Sequence, residues 1–179
     1  MGAIRLFLTG EPGCGKTTAI RELARILIAK GMKPGGMISG EIRKAGVRIG
    51  FSLEDLATKQ TGVLAHVEQP TGPRVGKYRV NLVGIEQVGV TSIRRAIVDA
   101  DIIIVDELGT MELCSKPFVS AVEMALNSPK PFVGTIHKRA SHYLLTAIRS
   151  DASCEIVEVT KENREEIPSL IAQRMTRHV

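Results

Sequence analysis

The sequence predicts an α/β fold, with a mostly parallel central sheet flanked by helices and a β-rich excursion around residues 37–81. Three observations carry that reading. Apolar runs of strand length alternate with amphipathic stretches of helical period over most of the chain. A glycine-rich loop joins the first such strand to the first such helix, the arrangement that cradles phosphate. Four consecutive branched aliphatics, Ile102 to Val105, read as a central strand covered on both faces.

Residues 4–9 form a short apolar run that ends in the glycine loop, and they read as a buried strand. Across 16–30, Ile20, Leu23, Ala24, Leu27 and Ile28 recur at helical spacing while Arg21, Glu22 and Arg25 take the opposite face. Gly31 and Pro34 stop this helix. The stretch 37–81 has no helical period. Ile38, Ile42, Val47, Ile49, Phe51, Val63, Ala65 and Val67 suggest short β segments broken at Gly40, Gly46, Gly62 and Gly72, with a turn at Pro70 and Pro73. It is too short to bury a core of its own and reads as an excursion beside the main sheet. The α/β rhythm then resumes. Helices are expected at 90–100, 117–127, 141–149 and 165–174, and strands at 102–105, 131–136 and 156–159. Pro168 starts or kinks the last helix. With no repeats and no low-complexity linkers, 1–179 is expected to be one domain.

The composition narrows the class of partner. At 179 residues and 44% hydrophobic, the chain can cover a sheet with helices. Aromatics at 3% and the lack of Trp argue against a single-stranded nucleic-acid surface, which stacks bases on rings, so nucleic acid is not the favoured partner. The net charge of +5 suits a polyanion, and nucleotide phosphates suffice. Cys14, Cys114 and Cys154 are odd in number, far apart and without a CxxC pair, which points to a reducing compartment and no zinc. No cleavable signal precedes Ile4, and no apolar run approaches membrane-spanning length. The expectation is a cytoplasmic protein with no membrane partner. Nothing fixes an oligomeric state, and a monomer is the simpler expectation.

The loop reads Gly10, Glu11, Pro12, Gly13, Cys14, Gly15, Lys16, Thr17 and Thr18, and it meets G-x-x-x-x-G-K-T. Gly10 and Gly15 allow backbone angles that gather consecutive N–H groups around an anion. The helix that opens at Lys16 points its positive end at the same anion. The Lys16 ammonium reaches the β- and γ-phosphates, and the Thr17 hydroxyl serves Mg²⁺. Cys14 is expected to matter through its backbone N–H, not its sulfur.

The strand 102–105 delivers a second set of groups. Asp106 stands where a metal-holding carboxylate belongs, and Glu107 follows it directly. Two adjacent carboxylates at a strand end are costly unless a cation and a reacting group use them. Asp106 is therefore read as serving Mg²⁺, and Glu107 as orienting and deprotonating a water beside the γ-phosphate. Thr135 or His137, at the next strand end, could sense the γ-phosphate. Positive charge for the transition state comes from Lys16 alone or with one of Arg43, Arg48, Arg74, Arg79 and Arg139. Asp106-Glu-Leu-Gly109 also fits D-x-x-G, and Thr160-Lys-Glu-Asn163 resembles a T-K-x-D guanine reader whose last residue is an amide. An amide cannot reproduce the acceptor pair of a carboxylate, so guanine selectivity is expected to be poor.

Four stretches together resemble a known family: GEPGCGKTT from Gly10, VGKYRVN from Val75, DELGTMEL from Asp106 and VTKENRE from Val159. Read with GEIRKAGVRIGF from Gly40, they look like the small nucleoside-triphosphatases of thermophiles, to which a human cancer-related nucleoside-triphosphatase also belongs. The resemblance runs in order across nearly the whole chain. It implies a RecA-like P-loop core in which another strand lies between the two motif strands. It also implies Mg²⁺-dependent hydrolysis of nucleoside triphosphates, ATP, GTP, CTP and UTP alike, with loose base choice. Lys16 and Thr17 match the phosphate and metal positions, Asp106 and Glu107 the metal and water-activating positions, and Thr160 and Asn163 a late motif near the base. Two departures stand out: Ser39-Gly40, where relatives tend to carry a threonine and a bulkier residue, and Pro168 in the last helix. The competing readings are a nucleoside or nucleotide kinase, a GTP- or ATP-gated switch with little turnover, and a basic RNA-binding protein that spends NTP on remodelling.

Overall fold

Strand-forming stretches occupy β1 (Arg5–Thr9), β2 (Pro34–Lys44), β3 (Val47–Asp55), β4 (Thr61–His66), β5 (Arg74–Val75), β6 (Tyr78–Val80), β7 (Ile102–Leu108), β8 (Phe132–Ile136) and β9 (Cys154–Glu158) in the computed structural model, which describes residues 3–176. They form one nine-stranded sheet in the order β5-β6-β4-β3-β2-β7-β8-β1-β9. The half β2-β7-β8-β1-β9 is parallel throughout. The half from β2 through β3, β4 and β6 to β5 is antiparallel. The sheet is therefore mixed, with an all-parallel core. Strand β8 separates β1 from β7, the interposed strand that the family resemblance implies.

Helices cover both faces. Helix α1 (Lys16–Ala29) and helix α6 (Ile167–Thr176) share one face. Their Ile20, Leu23, Leu27, Ile171 and Met175 pack with Leu6, Leu8, Ile102 and Ile104 of the sheet. On the other face lie α3 (Thr91–Asp99), α4 (Lys116–Asn127) and α5 (Tyr143–Ser150), where Ile93, Phe118, Val122 and Leu145 pack with Phe7, Ile103 and Val105. The four aliphatics of β7 thus alternate between two cores, as their unbroken apolar run requires. Helix α1 ends in a left-handed Gly31 (φ 81°), with the Gly31 amide donating to Ile28 O at 2.9 Å and the Met32 amide to Leu27 O at 3.0 Å. That pair of bonds satisfies carbonyls the helix leaves open. Pro168 falls in the first turn of α6, so it starts that helix without kinking it.

Two expectations need correction. The helix expected at 90–100 begins earlier: a turn α2 (Leu82–Gly84), capped by Asn81, and a π-helical segment Ile85–Val90 run straight into α3. Gly84 and Gly89 hid this stretch from a periodicity reading. The excursion is not a set of short strands beside the sheet. Its first strand, β2, is eleven residues long and belongs to the parallel core and the antiparallel extension at once. Gly40 and Gly62 lie inside strands, whereas Gly46, with Ala45 in a tight turn of positive φ, and Gly72 do fall between strands. Glycine here permits close approach. A Cβ on Gly50 would meet Ala65 O at 2.6 Å. Buried Asp55 fixes the turn after β3, accepting from the amides of Ala57 and Thr58 and pairing with Arg95 of α3.

The junction of β2 and β7 tolerates no side chain at Gly36, whose φ is +107° and whose Cβ would lie 2.0 Å from Ile104 O. Gly36→Ala is expected to cost at least about 2 kcal/mol of stability, measured as a lower urea midpoint at unchanged slope. A variant with the parental midpoint would mean that β2 does not lie against β7 in this register.

Candidate active site

The groups expected to handle phosphate stand at the ends of the parallel strands, where open α/β sheets place their ligands. The loop after β1 turns into α1 through Gly15, which sits in the left-handed region at φ 110°. Gly10 is confined from two sides, since a Cβ there would meet Val159 O at 2.6 Å and the Cys14 sulfur at 2.8 Å. The Cys14 side chain is buried beneath the loop and its N–H donates to Glu11 O at 3.1 Å. Lys16 Nζ donates to the carbonyls of Gly10 at 3.1 Å and Glu11 at 3.3 Å, curling back over the loop.

Asp106 ends the regular part of β7, just where the β7–β8 register shifts between Val105 and Leu108. It has no exposed surface, and three hydroxyls converge on it. Thr17 of α1 donates to Oδ2 at 2.8 Å, Ser39 of β2 donates to Oδ2 at 3.2 Å, and Thr135 of β8 donates to Oδ1 at 2.6 Å. Burial pushes this carboxyl above its ordinary range, and the hydroxyls and the Lys16 charge pull it back. Thr17 and Asp106 are thus in direct contact, a hydroxyl and a carboxylate side by side at the foot of the loop. Such hard oxygen donors, few in number and beside a phosphate site, fit Mg²⁺. Among the described residues no group of three or more His, Cys, Asp or Glu is placed to hold a metal.

Glu107 faces the same cleft. Its Oε1 is buried and has no hydrogen-bond partner. Burial comes first and the neighbouring Asp106 charge second in raising its carboxyl. A third acid, Glu112, sits in a 3₁₀ turn just beyond and is 5% exposed. Burial, then the charge of Glu107, pushes Glu112 up to about 8. Gly109 lies between the two: a Cβ there would meet Glu112 Oε2 at 3.0 Å and Glu107 Cδ at 3.7 Å.

The cleft has a volume of about 710 Å³. One wall is the loop, with Gly10, Glu11, Pro12, Gly13, Gly15, Lys16, Thr17 and Thr18. The facing wall comes from the antiparallel extension: Arg48, Phe51, Leu64 and Val75, with the Arg48 guanidinium 5.0 Å from the Phe51 ring centre. Glu107, Gly109 and Glu112 after β7 and His137, Lys138 and Arg139 after the neighbouring β8 also line it.

Several expected roles change. Thr135 does not reach the cleft, because its hydroxyl is spent on Asp106 and it is fully buried. His137 does line the cleft; burial and nearby cations lower its pKa, and its Nδ1 accepts the Arg139 amide. Of the candidate arginines, Arg48 and Arg139 line the cleft, Arg48 while paired with Glu41 at 2.7 Å; Arg43, Arg74 and Arg79 do not line it. Thr160 and Asn163 lie outside it. The Asn163 amide accepts from Thr160 N at 2.8 Å and donates to Glu158 O at 2.9 Å, so it holds its own loop together. That loop nonetheless flanks the phosphate loop, through Val159 beside Gly10 and through Arg164, whose side chain a Cβ at Gly15 would meet at 3.1 Å. Sequence reasoning passed over Ser39, Glu112, Lys138 and Arg164. Glu112 was visible within DELGTMEL, but nothing local in the sequence marks it as buried.

Comparison with known proteins agrees with this architecture. A protein-family model described as NTPase matches residues 5–172. The nucleoside-triphosphatase THEP1 of Methanosarcina barkeri is 45% identical over 172 residues, covering 96% of this chain and 97% of its own. That of Thermofilum pendens is 43% identical, covering 98% and 97%. The crystal structure of THEP1 from the hyperthermophile Aquifex aeolicus superposes with a TM-score of 0.85 at 29% identity, covering 96% of this chain and 99% of that one. The solution structure of a human cancer-related nucleoside triphosphatase gives 0.82 at 34% identity, covering 96% and 97%. The interposed strand, the phosphate loop and the buried aspartate are therefore set in a chain that belongs to the NTPase family of nucleoside-triphosphatases.

Proposed function

We propose that residues 1–179 form a single cytoplasmic P-loop domain that hydrolyses nucleoside 5′-triphosphates, with Mg²⁺ and with little choice of base, to the diphosphate and phosphate. The observation that carries the reading is the contact between Thr17 and Asp106, which joins the phosphate loop to the acidic strand end at 2.8 Å. Three free cysteines among the described residues accord with a reducing compartment. No helix among those residues is long and apolar enough to cross a membrane.

The loop amides and Lys16 neutralise the phosphate chain, and a bound triphosphate offers the Lys16 ammonium stronger acceptors than the two carbonyls it now holds. Thr17 and Asp106 would hold Mg²⁺, which when bound supplies positive charge to the β- and γ-phosphate oxygens. The three hydroxyls on Asp106 favour its charged form against the burial that raises it, and they fix its direction. Glu107 accepts a proton from a water as the water oxygen bonds to the γ-phosphorus and the bond to the β–γ bridging oxygen breaks. Its raised pKa makes it a better base than an exposed glutamate, and its unpartnered Oε1 is free to take the proton. Glu112 carries its proton at neutral pH, so it adds no second negative charge beside that base. Base choice is loose because the Asn163 amide is engaged within its own loop.

Glu107→Gln keeps the shape and removes the base. Nucleotide binding is expected to persist while phosphate release from ATP, GTP, CTP and UTP falls at least about a hundredfold. Unchanged turnover would remove Glu107 from the chemistry. Lys16→Ala is expected to weaken triphosphate binding by at least about tenfold, read by isothermal titration.

Glu112 also sets a pH dependence of stability. The unfolded chain releases this proton near the ordinary 4.5 and the folded chain near 8, so between those values the folded state binds more proton and stability falls as pH rises. Glu112→Gln, which mimics the protonated acid, is expected to match the parent near about pH 5 and to melt at least about 3 °C higher near about pH 8.5. Parallel melting curves at both pH values would show that Glu112 is not buried as described.

A further inference from the structure

Glu11 is an acid inside a loop that must receive a polyanion, and Glu11 is the sole acidic residue from Gly10 to Thr18. Left alone it would repel the substrate. It is not left alone: its Oε1 lies 3.1 Å from Lys138 Nζ and its Oε2 3.5 Å from Arg139 Nη2. Lys138 also pairs with Glu158 at 2.8 Å. Both cations follow directly on β8, the strand that carries Thr135 to Asp106, and both line the cleft.

The backbone that bears them is held from two directions. Arg149 of α5 donates to the carbonyls of His137 at 3.0 Å and Ala140 at 3.3 Å. The His137 amide donates to Leu108 O at the end of β7 at 3.3 Å. The side chains beyond this pinned backbone are exposed, Lys138 by 40%, Arg139 by 79% and Glu11 by 53%. Exposed ion pairs of this kind are weak and readily exchanged. A phosphate is a better partner than a carboxylate for a guanidinium fork, and it carries more charge.

We propose that Lys138 and Arg139 are phosphate-binding residues of this active site, parked on Glu11 in the free protein, and that the arriving triphosphate takes them over. Glu11 holds the cations in place when the cleft is empty and competes with substrate for them when it is not, so the acid costs the site some affinity. Arg139 then supplies positive charge at the terminal phosphate from within the same chain. This inference rests on the nucleotide-site reading above.

The test is steady-state phosphate release from ATP and ATP titration by calorimetry, using the full chain. Arg139→Ala is expected to lower kcat by about tenfold to a hundredfold, less than loss of a fully enclosed arginine finger, with Arg139→Lys recovering part of it. Lys138→Met is expected to raise KM. Glu11→Gln is expected to lower KM about threefold, the scale of one exposed charge pair. That gain should vanish in the triple variant that also carries Lys138→Met and Arg139→Ala. An equal gain in the triple variant would mean that Glu11 merely repels substrate, and the exchange would be wrong. Parental kcat and KM in both Lys138→Met and Arg139→Ala would also overturn it. Lys16→Ala run alongside separates the two readings: if it too binds ATP as the parent does, the nucleotide site itself is misplaced, whereas a weakened Lys16→Ala with unaffected Lys138 and Arg139 variants sinks only the exchange.

Discussion

One buried carboxylate organises this molecule. Asp106 has no contact with solvent, yet it draws hydroxyls from α1, β2 and β8 to a single point. A charge without water demands several hydrogen bonds, and here each bond comes from a different element. The demand is therefore also a positional constraint. The start of the phosphate helix, the long strand β2 and the strand between the two motifs must all present an oxygen within reach of one side chain. The same convergence that makes the carboxylate tolerable fixes the loop relative to the acidic strand end.

The second consequence concerns the extension of the sheet. Because β2 is shared, the antiparallel half is continuous with the core that holds Asp106. Its residues Arg48, Phe51, Leu64 and Val75 face the loop as a fixed wall. Ser39, on the shared strand, belongs to both halves: three residues beyond the crowded Gly36, it leans on the acidic strand end. Its serine hydroxyl reaches Asp106 from β2. Gly40 leaves room beside Ser52, whose Oγ a Cβ would meet at 3.0 Å.

Much of this was legible in the residues. The loop, Asp106 and the two-faced strand were readable because each depends on local spacing: a glycine pattern, an acid after four aliphatics, an apolar run without alternation. The interposed strand came only with the family resemblance, since strand order is a tertiary fact. The parts that were missed are non-local. Gly40 and Gly62 read as breaks because glycine weakens an isolated strand, but hairpin pairing with close backbone approach retains them. The π segment is invisible to a search at helical period. Thr135 looked like a sensor at a strand end, and only the fold shows that its hydroxyl points back to Asp106. Glu112 looked like any charged loop residue until the burial around it was known.

The sheet also has two open edges, and each is blunted. At one margin β9 carries Glu155 and Glu158, tied by Arg174 and Lys138. At the other, β5 is only two residues long, begins with Arg74 and follows Pro73. Charges and a brief, proline-flanked border give a neighbouring copy little to zip onto. Long, flat, apolar margins would invite strand-by-strand association of a nine-stranded platform, and these margins are built against it.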